Sequence, residues 1–184
     1  MEQKKELTKH LIADSFKELM YKYPFEKITI KMITDEAGII RPTFYNHFCD
    51  KYELMEWIFE EDIASKMEIL LEEEMLVESI KLLFTRIAND SKYYRKAFEV
   101  VGQNSFEEVM TNRLCDLLLE AFDNHKVHVD NKVLTNEHLA HYYAMGTVVT
   151  IKEWLKRAND DISADEVYDA FMYVLSHSVV DLFE

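Results

Sequence analysis

The chain has 184 residues, 48% hydrophobic and 30% charged, proportions of a folded globular protein with room for a sizeable core and not of a disordered chain. Three Gly and two Pro are too few to punctuate the turns of an all-β or α/β fold, so an all-α protein is expected. No run of about 18 apolar residues occurs, and Met1-Glu2-Gln3-Lys4-Lys5-Glu6 lacks the apolar core of a signal peptide. Cys49 and Cys115 show neither metal nor disulfide spacing. The expected setting is the cytoplasm, with no membrane association and free thiols.

The net charge of −14 at first disfavours a polyanionic partner. Its distribution changes that reading. Residues 1–51 hold 9 Lys/Arg against 8 Asp/Glu, whereas residues 52–184 hold 12 against 27. The first fifty residues are free to approach phosphates while an acidic body discourages non-specific sticking.

In chain order, Leu7, Leu11, Ile12, Phe16, Leu19 and Met20 fall on one face of a helix from Glu6 to Tyr23. Pro24 stops it, because the residue before proline is pushed out of the α region. Phe25 and Ile28 anchor the link that follows. Thr29 reads as the N-cap of a short helix, and Asp35-Glu36-Ala37-Gly38 as its end, with Gly38 supplying positive φ. A second short helix is expected from Ile40 to Phe48, with Pro42 in its first turn. Asp50 then caps a long helix from Lys51 to about Glu74, with Glu53 in a capping-box position and Leu54, Trp57, Ile58, Ile63, Met67, Leu70 and Leu71 as its buried stripe.

Further helices are expected over Leu76–Asn89, Lys92–Val101, Ser105–His125, Asn136–Arg157 and Ser163–Phe183, with a loop over His125–Thr135. Ser163 and Glu166 form a strong helix-start signal after the turn Ala158 to Ile162. The expectation is about nine helices: a helix-turn-helix unit over residues 1–50 and a helical effector-binding and dimerisation unit over residues 51–184.

A helix-turn-helix places its second helix in the major groove. Arg41, Pro42, Thr43 and Asn46 suit base edges: Arg forks onto guanine, Asn pairs with adenine, and Thr and Pro touch a thymine methyl. Thr29, Tyr45, His47 and Lys51 suit the phosphates, which set register without reading sequence. A helical hairpin whose polar residues merely face water accounts for composition equally well.

The motifs decide between them. Ala37-Gly38, Thr43-Phe44-Tyr45-Asn46-His47-Phe48 and Lys51-Tyr52-Glu53-Leu54, with Phe25-Glu26-Lys27-Ile28-Thr29 and the first helix before them, resemble the N-terminal DNA-binding domain of TetR-family transcriptional regulators over about the first 55 residues. The resemblance implies that Arg41, Pro42 and Thr43 head the recognition helix, that Tyr45, His47 and Lys51 lie at phosphate-contacting positions, and that Phe44 and Phe48 are core. Ile40 departs from the pattern, since a small polar capping residue is common there.

Two helix-turn-helix units spaced by one turn of DNA need a two-fold axis. The resemblance implies a homodimer through the last two helices, and Ala144, Thr147, Phe171, Val174, Ser178 and Leu182 are the expected interface. It also implies an effector pocket among the aromatic middle helices, for which Phe84, Tyr94, Phe98, Met110, Tyr142 and Tyr143 are the candidates. Each alone has core packing as its bland alternative. Segments Tyr142–Gly146, Trp154-Leu155 and Ser163, with the stretch Tyr52–Asp62, are similar to a subgroup that includes dihydroxyacetone-kinase operon regulators, which implies an activator working with a protein co-activator. His138 and His141 share a helix face, with His125 and His128 near a loop; surface histidines are the commoner explanation, so no metal and no other cofactor is assigned.

No Gly-rich phosphate loop, nucleophile elbow, HExxH or paired catalytic carboxylates occur, so an enzyme is not expected. The expected function is a dimeric, effector-controlled regulator on double-stranded palindromic operator DNA, its effector a small molecule or a protein. The alternative is a protein-interaction module, or a co-activator-dependent regulator without a small-molecule ligand.

Overall fold

The computed structural model describes residues 2–128, 133–157, 162–178 and 180–183. The expected turn at 158–161, part of the expected loop at 129–132, Val179 and the side chain of Leu182 lie outside the described residues.

The described chain is all-α. Helix α1 (Glu2–Lys22) ends before Pro24. A 3₁₀ turn (Phe25–Lys27) leads to α2 (Ile30–Glu36), α3 (Arg41–Tyr45) and α4 (Lys51–Phe59). A π-helical turn (Glu60–Ala64) carries α4 without interruption into α5 (Ser65–Glu72). The remaining helices are α6 (Leu76–Asn89), α7 (Ser91–Ala97), α8 (Phe106–Asn124), α9 (Asn136–Lys156) and α10 (Ala164–Ser176), followed by a 3₁₀ turn (Val180–Phe183). Counting the α4–α5 rod once, the described residues form nine helices.

The caps expected at Thr29, Asp50 and Ser163 exist as geometry, and Ser105 and Thr135 add two more. The side chains of Thr29, Asp50, Ser105, Thr135 and Ser163 each accept from a backbone amide two or three residues on, and Ser163 and Glu166 complete a reciprocal capping box. Each such cap is worth about 1 kcal/mol.

Four helices end two or more residues before expectation; one is α7, which stops at Ala97 and not Val101, where the Glu99 and Val100 amides bond back to the Lys96 and Ala97 carbonyls. The recognition helix ends at Tyr45, because the amides of Asn46, His47 and Phe48 fold back onto Pro42 and Phe44 in a closing turn. The long rod ends at Glu72, where Glu74 takes a positive φ of 61° and the Met75 amide bonds back to the Leu70 carbonyl. Helix α10 stops at Ser176, well before Phe183: the Ser176 hydroxyl donates to the carbonyls of Met172 and Tyr173, and His177 is extended. Side chains that bond to the backbone locally compete with helix continuation.

One hydrophobic core crosses the expected boundary at residue 50. It runs from Ile12 and Phe16 of α1 through Leu54 and Phe59 of α4, Tyr93 and Tyr94 of α7, and Phe106 of α8 to Val148 and Ile151 of α9. Ion pairs reinforce the joint. The Lys17 ammonium donates to Asp62 at 2.5 Å and lies 3.1 Å from Asp90, which also accepts from the Tyr21 hydroxyl at 2.6 Å. Burial alone would lower the Lys17 pKa, but the two carboxylates outweigh it and hold it above its ordinary value.

Candidate DNA interface and effector cavity

The turn between α2 and α3 is built from backbone requirements. Gly38 has φ of +64°, its amide bonds to the Asp35 carbonyl, and the Ile39 amide bonds to the Thr34 carbonyl. Those paired bonds close a helix through one left-handed residue, a place that glycine fills at no steric cost. The chain then re-enters a helix at Arg41. Ile40 occupies the N-cap with extended backbone and no side-chain cap, and its side chain is 69% exposed.

Phe44 and Phe48 are 0% and 2% exposed and pin α3 to the core, each such burial contributing about 1.5–3 kcal/mol. With these two residues fixed, Arg41, Pro42, Tyr45 and Asn46 are exposed and Thr43 and His47 are half-buried. The four expected base-reading residues and Tyr45 therefore share the short helix and its closing turn. Arg41 and Tyr45 are coupled: the Arg41 guanidinium donates to the Tyr45 hydroxyl at 3.0 Å and sits 5.5 Å above its ring.

At the edges of this face, the Thr29 hydroxyl oxygen accepts from the Met32 amide at 3.2 Å, leaving its hydrogen to donate outward. Burial, then the charges of Lys9 and Lys5 on α1, hold the His47 imidazole below its usual pKa, which favours its neutral form. Lys5 and Lys9 escaped the motif-based reading because they lie at the far end of α1, brought near α3 only by the tertiary fold.

Lys51, expected at a phosphate, is engaged within the fold. Its ammonium donates to the carbonyls of Phe25 at 2.6 Å and Ile28 at 2.9 Å and lies 4.1 Å from the centre of the Phe25 ring. The Phe25 carbonyl also accepts from the Ile28 amide at 3.1 Å, closing the 3₁₀ turn, and the lysine joins that turn to the Ile28 carbonyl ahead of α2. Desolvation lowers its pKa.

The expected effector residues are dispersed. Phe84 packs against Phe171, Trp154 and Tyr168, Tyr94 against Tyr93 and Phe106, and Phe98 against Phe106. Met110 is fully buried, and Tyr142 is 71% exposed. Aromatic edges and faces pack on one another in these contacts, while the buried Tyr93 and Tyr94 hydroxyls find no hydrogen-bond partner among the described residues. A cavity of about 290 Å³ lies instead among α5, α6, α8, α9 and α10, lined by aliphatic side chains such as Met67, Leu71, Leu83 and Leu117. Of the six expected residues, Tyr143 lines it; Thr147 and Phe171, expected at a dimer interface, line it as well.

The remaining interface candidates divide. Ala144 is fully buried within its own chain, whereas Val174 is 68% exposed and Ser178 is exposed. An exposed apolar stripe on α9, Tyr142, Met145 and Val149, lies one step round the helix from the buried Ala140, Ala144 and Val148, and Tyr173 and Val174 expose a similar surface on α10. His125, His128, His138 and His141 form no metal-holding group among the described residues. His138 Nδ1 lies 3.1 Å from the Thr135 hydroxyl. Among the described residues, no helix is long and apolar enough to cross a membrane.

A short α3 pinned from beneath, with hydrogen-bonding groups outward and a glycine turn before it, is the reading head of a helix-turn-helix. A family profile described as bacterial regulatory proteins, tetR family, matches residues 12–58, and one described as transcriptional regulator C-terminal region matches residues 74–177. The chain belongs to the TetR family of transcriptional regulators. It is similar to the HTH-type dhaKLM operon transcriptional activator DhaS of Lactococcus lactis subsp. lactis (strain IL1403), with 33% identity over 98 residues, 53% of this chain and 52% of that protein. The match thus spans about half the length of that relative. In fold it is similar to the solved dihydroxyacetone kinase operon activator DhaS, at TM-score 0.66 and 24% identity, covering 91% of this chain and 93% of that one. It is also similar to NalD, the secondary repressor of the MexAB-OprM multidrug efflux pump in Pseudomonas aeruginosa, at TM-score 0.62 and 14% identity over 93% and 96% of the two chains.

Proposed function

We propose that the protein is a homodimeric regulator that binds palindromic operator DNA and whose affinity is set by an effector in the cavity of its C-terminal body. The observation that carries this reading is α3 itself, with Phe44 and Phe48 buried and Arg41, Pro42, Tyr45 and Asn46 exposed. Arg41, Pro42, Thr43 and Asn46 read base edges, while Thr29, Tyr45 and His47 hold phosphates. Lys51 acts through packing.

The cavity has a mechanical route to the head. Met67 and Leu71 line it from α5, and α5 is continuous with α4, which starts six residues after α3 ends. An effector changes DNA affinity only through its differential affinity for the two arrangements of that rod. Similarity to an operon activator supports activation as the sign of control.

A gel shift on the intergenic DNA beside the gene at moderate salt tests the reading. Retention at submicromolar protein, competed by operator and not by unrelated DNA, is expected. Failure at micromolar protein overturns it in favour of a protein-interaction module.

A further inference from the structure

The cavity is selective by what it lacks. Among the described residues, no Asp, Glu, Lys, Arg or His lines it, so a charged group placed inside would lose its hydration without gaining a counter-ion. The neighbouring depression, which shares Leu71 and Leu117 with it, is lined by Glu68, Glu72, Glu120 and Asp123. An approaching carboxylate or phosphate meets like charge there.

The hydroxyls inside are few and mostly committed. Ser79 donates to the Leu76 carbonyl and Thr147 to the Tyr143 carbonyl, both at 2.8 Å. Each keeps lone pairs to accept with and has no hydrogen left to give. No hydrogen bond to the Tyr143 hydroxyl is found among the described residues, so it is available to donate. Tyr143 and Thr147, four residues apart, share one face of α9. A ligand hydroxyl can accept from Tyr143 and donate to Thr147, and a second can donate to Ser79; a third would be buried without a partner.

Resting on the effector reading above, we infer that this cavity takes an uncharged, largely apolar molecule bearing one hydroxyl group, or two at most. At roughly 30 Å³ of liquid volume per water-sized atom, a cavity of about 290 Å³ holds about ten non-hydrogen atoms. That size sits at the lower edge of ligand sites. Anionic amphiphiles and small polyols are excluded.

The test compares 4-butylphenol, butylbenzene, 4-butylbenzoate and glycerol on the full-length protein at pH 7, by calorimetric titration and by shift in melting temperature. 4-Butylphenol is expected to bind at least tenfold more tightly than 4-butylbenzoate, and glycerol not to bind. Tyr143→Phe is expected to weaken 4-butylphenol about fivefold while leaving butylbenzene unchanged, a difference that general loss of packing would not produce. Leu118→Trp, which fills the cavity, is expected to abolish binding with helical content intact. Equal or tighter binding of the benzoate or glycerol overturns the inference, as does the absence of any response to both neutral aromatics. DNA affinity is measured separately: if 4-butylphenol binds and operator affinity does not move, the ligand class stands and control by this site falls.

Discussion

At the scale of single residues, Lys51 shows how a side chain that suits a phosphate can serve the fold. Its ammonium donates to two carbonyls, of Phe25 and Ile28, and hydrogen bonds to a charged group are each worth about 1.5–3 kcal/mol. Lys51→Met is therefore expected to cost about 2 kcal/mol, a fall of roughly 4–8 °C in melting temperature for a chain of this size. The slope of log affinity against log salt should stay unchanged; a slope shallower by about one would place the ammonium on a phosphate. Tyr45 differs again. Its hydroxyl accepts from Arg41, so Tyr45→Phe should release Arg41 from its preset position. Discrimination at the base that Arg41 is proposed to read is expected to fall about fivefold, the effect of roughly 1 kcal/mol, measured as the affinity ratio between operator and single-base variants. His47 supplies a pH signature. Burial and then Lys9 and Lys5 lower its folded pKa below the ordinary 6.5, so the unfolded chain takes up its proton first. Stability from neutral His47 is present above pH 6.5 and is lost as pH falls through the folded value. Melting curves of the native protein and His47→Gln should run parallel above pH 6.5 and converge or cross below it.

At the scale of elements, the rod from Lys51 to Glu72 holds a feature that was printed in its apolar spacing. Leu54 to Ile58 is a step of four and Ile63, Met67 and Leu71 follow in steps of four, but Ile58 to Ile63 is a step of five. That extra residue is the π turn at Glu60–Ala64, which keeps both halves of the stripe on the core. Arg113 of α8 clasps the widened turn, donating to Glu60 at 2.8 and 3.0 Å and to Glu68 at 2.5 Å. These bonds, above all those to Glu60, hold its pKa well above the ordinary value despite burial. The arginine side chain is 22% exposed and the carboxylates 39%, between surface pairs and buried ones. Arg113→Met is expected to cost about 1–2 kcal/mol, read as a fall of several degrees in melting temperature with α-helical content retained.

Caps and glycine turns were legible because their chemistry is local: Thr29, Gly38, Asp50 and Ser163 each need only neighbours within a few residues. The cavity was not. Aromatic side chains such as Phe84 and Tyr94 advertise a binding site by type, yet they pack tightly on one another, and the space opens between aliphatic residues that look like ordinary core. On α9 the apolar pattern did not say which of two adjoining faces the rest of the chain would cover, so Ala144 was expected outside and Tyr142 inside, the reverse of the structure.

At the scale of the whole molecule, the proposed reading requires that affinity for DNA come from specific contacts made twice. The body carries 12 Lys/Arg against 27 Asp/Glu over residues 52–184, so its long-range field opposes DNA, and one head of five helical residues offers few contacts. Joining two heads turns the second binding event into an intramolecular one and multiplies affinity without new chemistry. The exposed apolar surfaces on α9 and α10, Tyr142, Met145, Val149, Tyr173 and Val174, are where the second copy is expected to seat. Changing both Val149 and Val174 to Glu places charges on that surface while leaving the buried Ala144, Val148 and Phe171 untouched. The variant is expected to keep its helical content, to run as a monomer in light scattering, and to lose at least tenfold in affinity for the full palindrome. Its affinity for an isolated half-site should remain that of the native protein. A variant that still scatters as a dimer would move the interface to another face, whereas a monomer with undiminished palindrome affinity would remove dimerisation from the account of DNA binding.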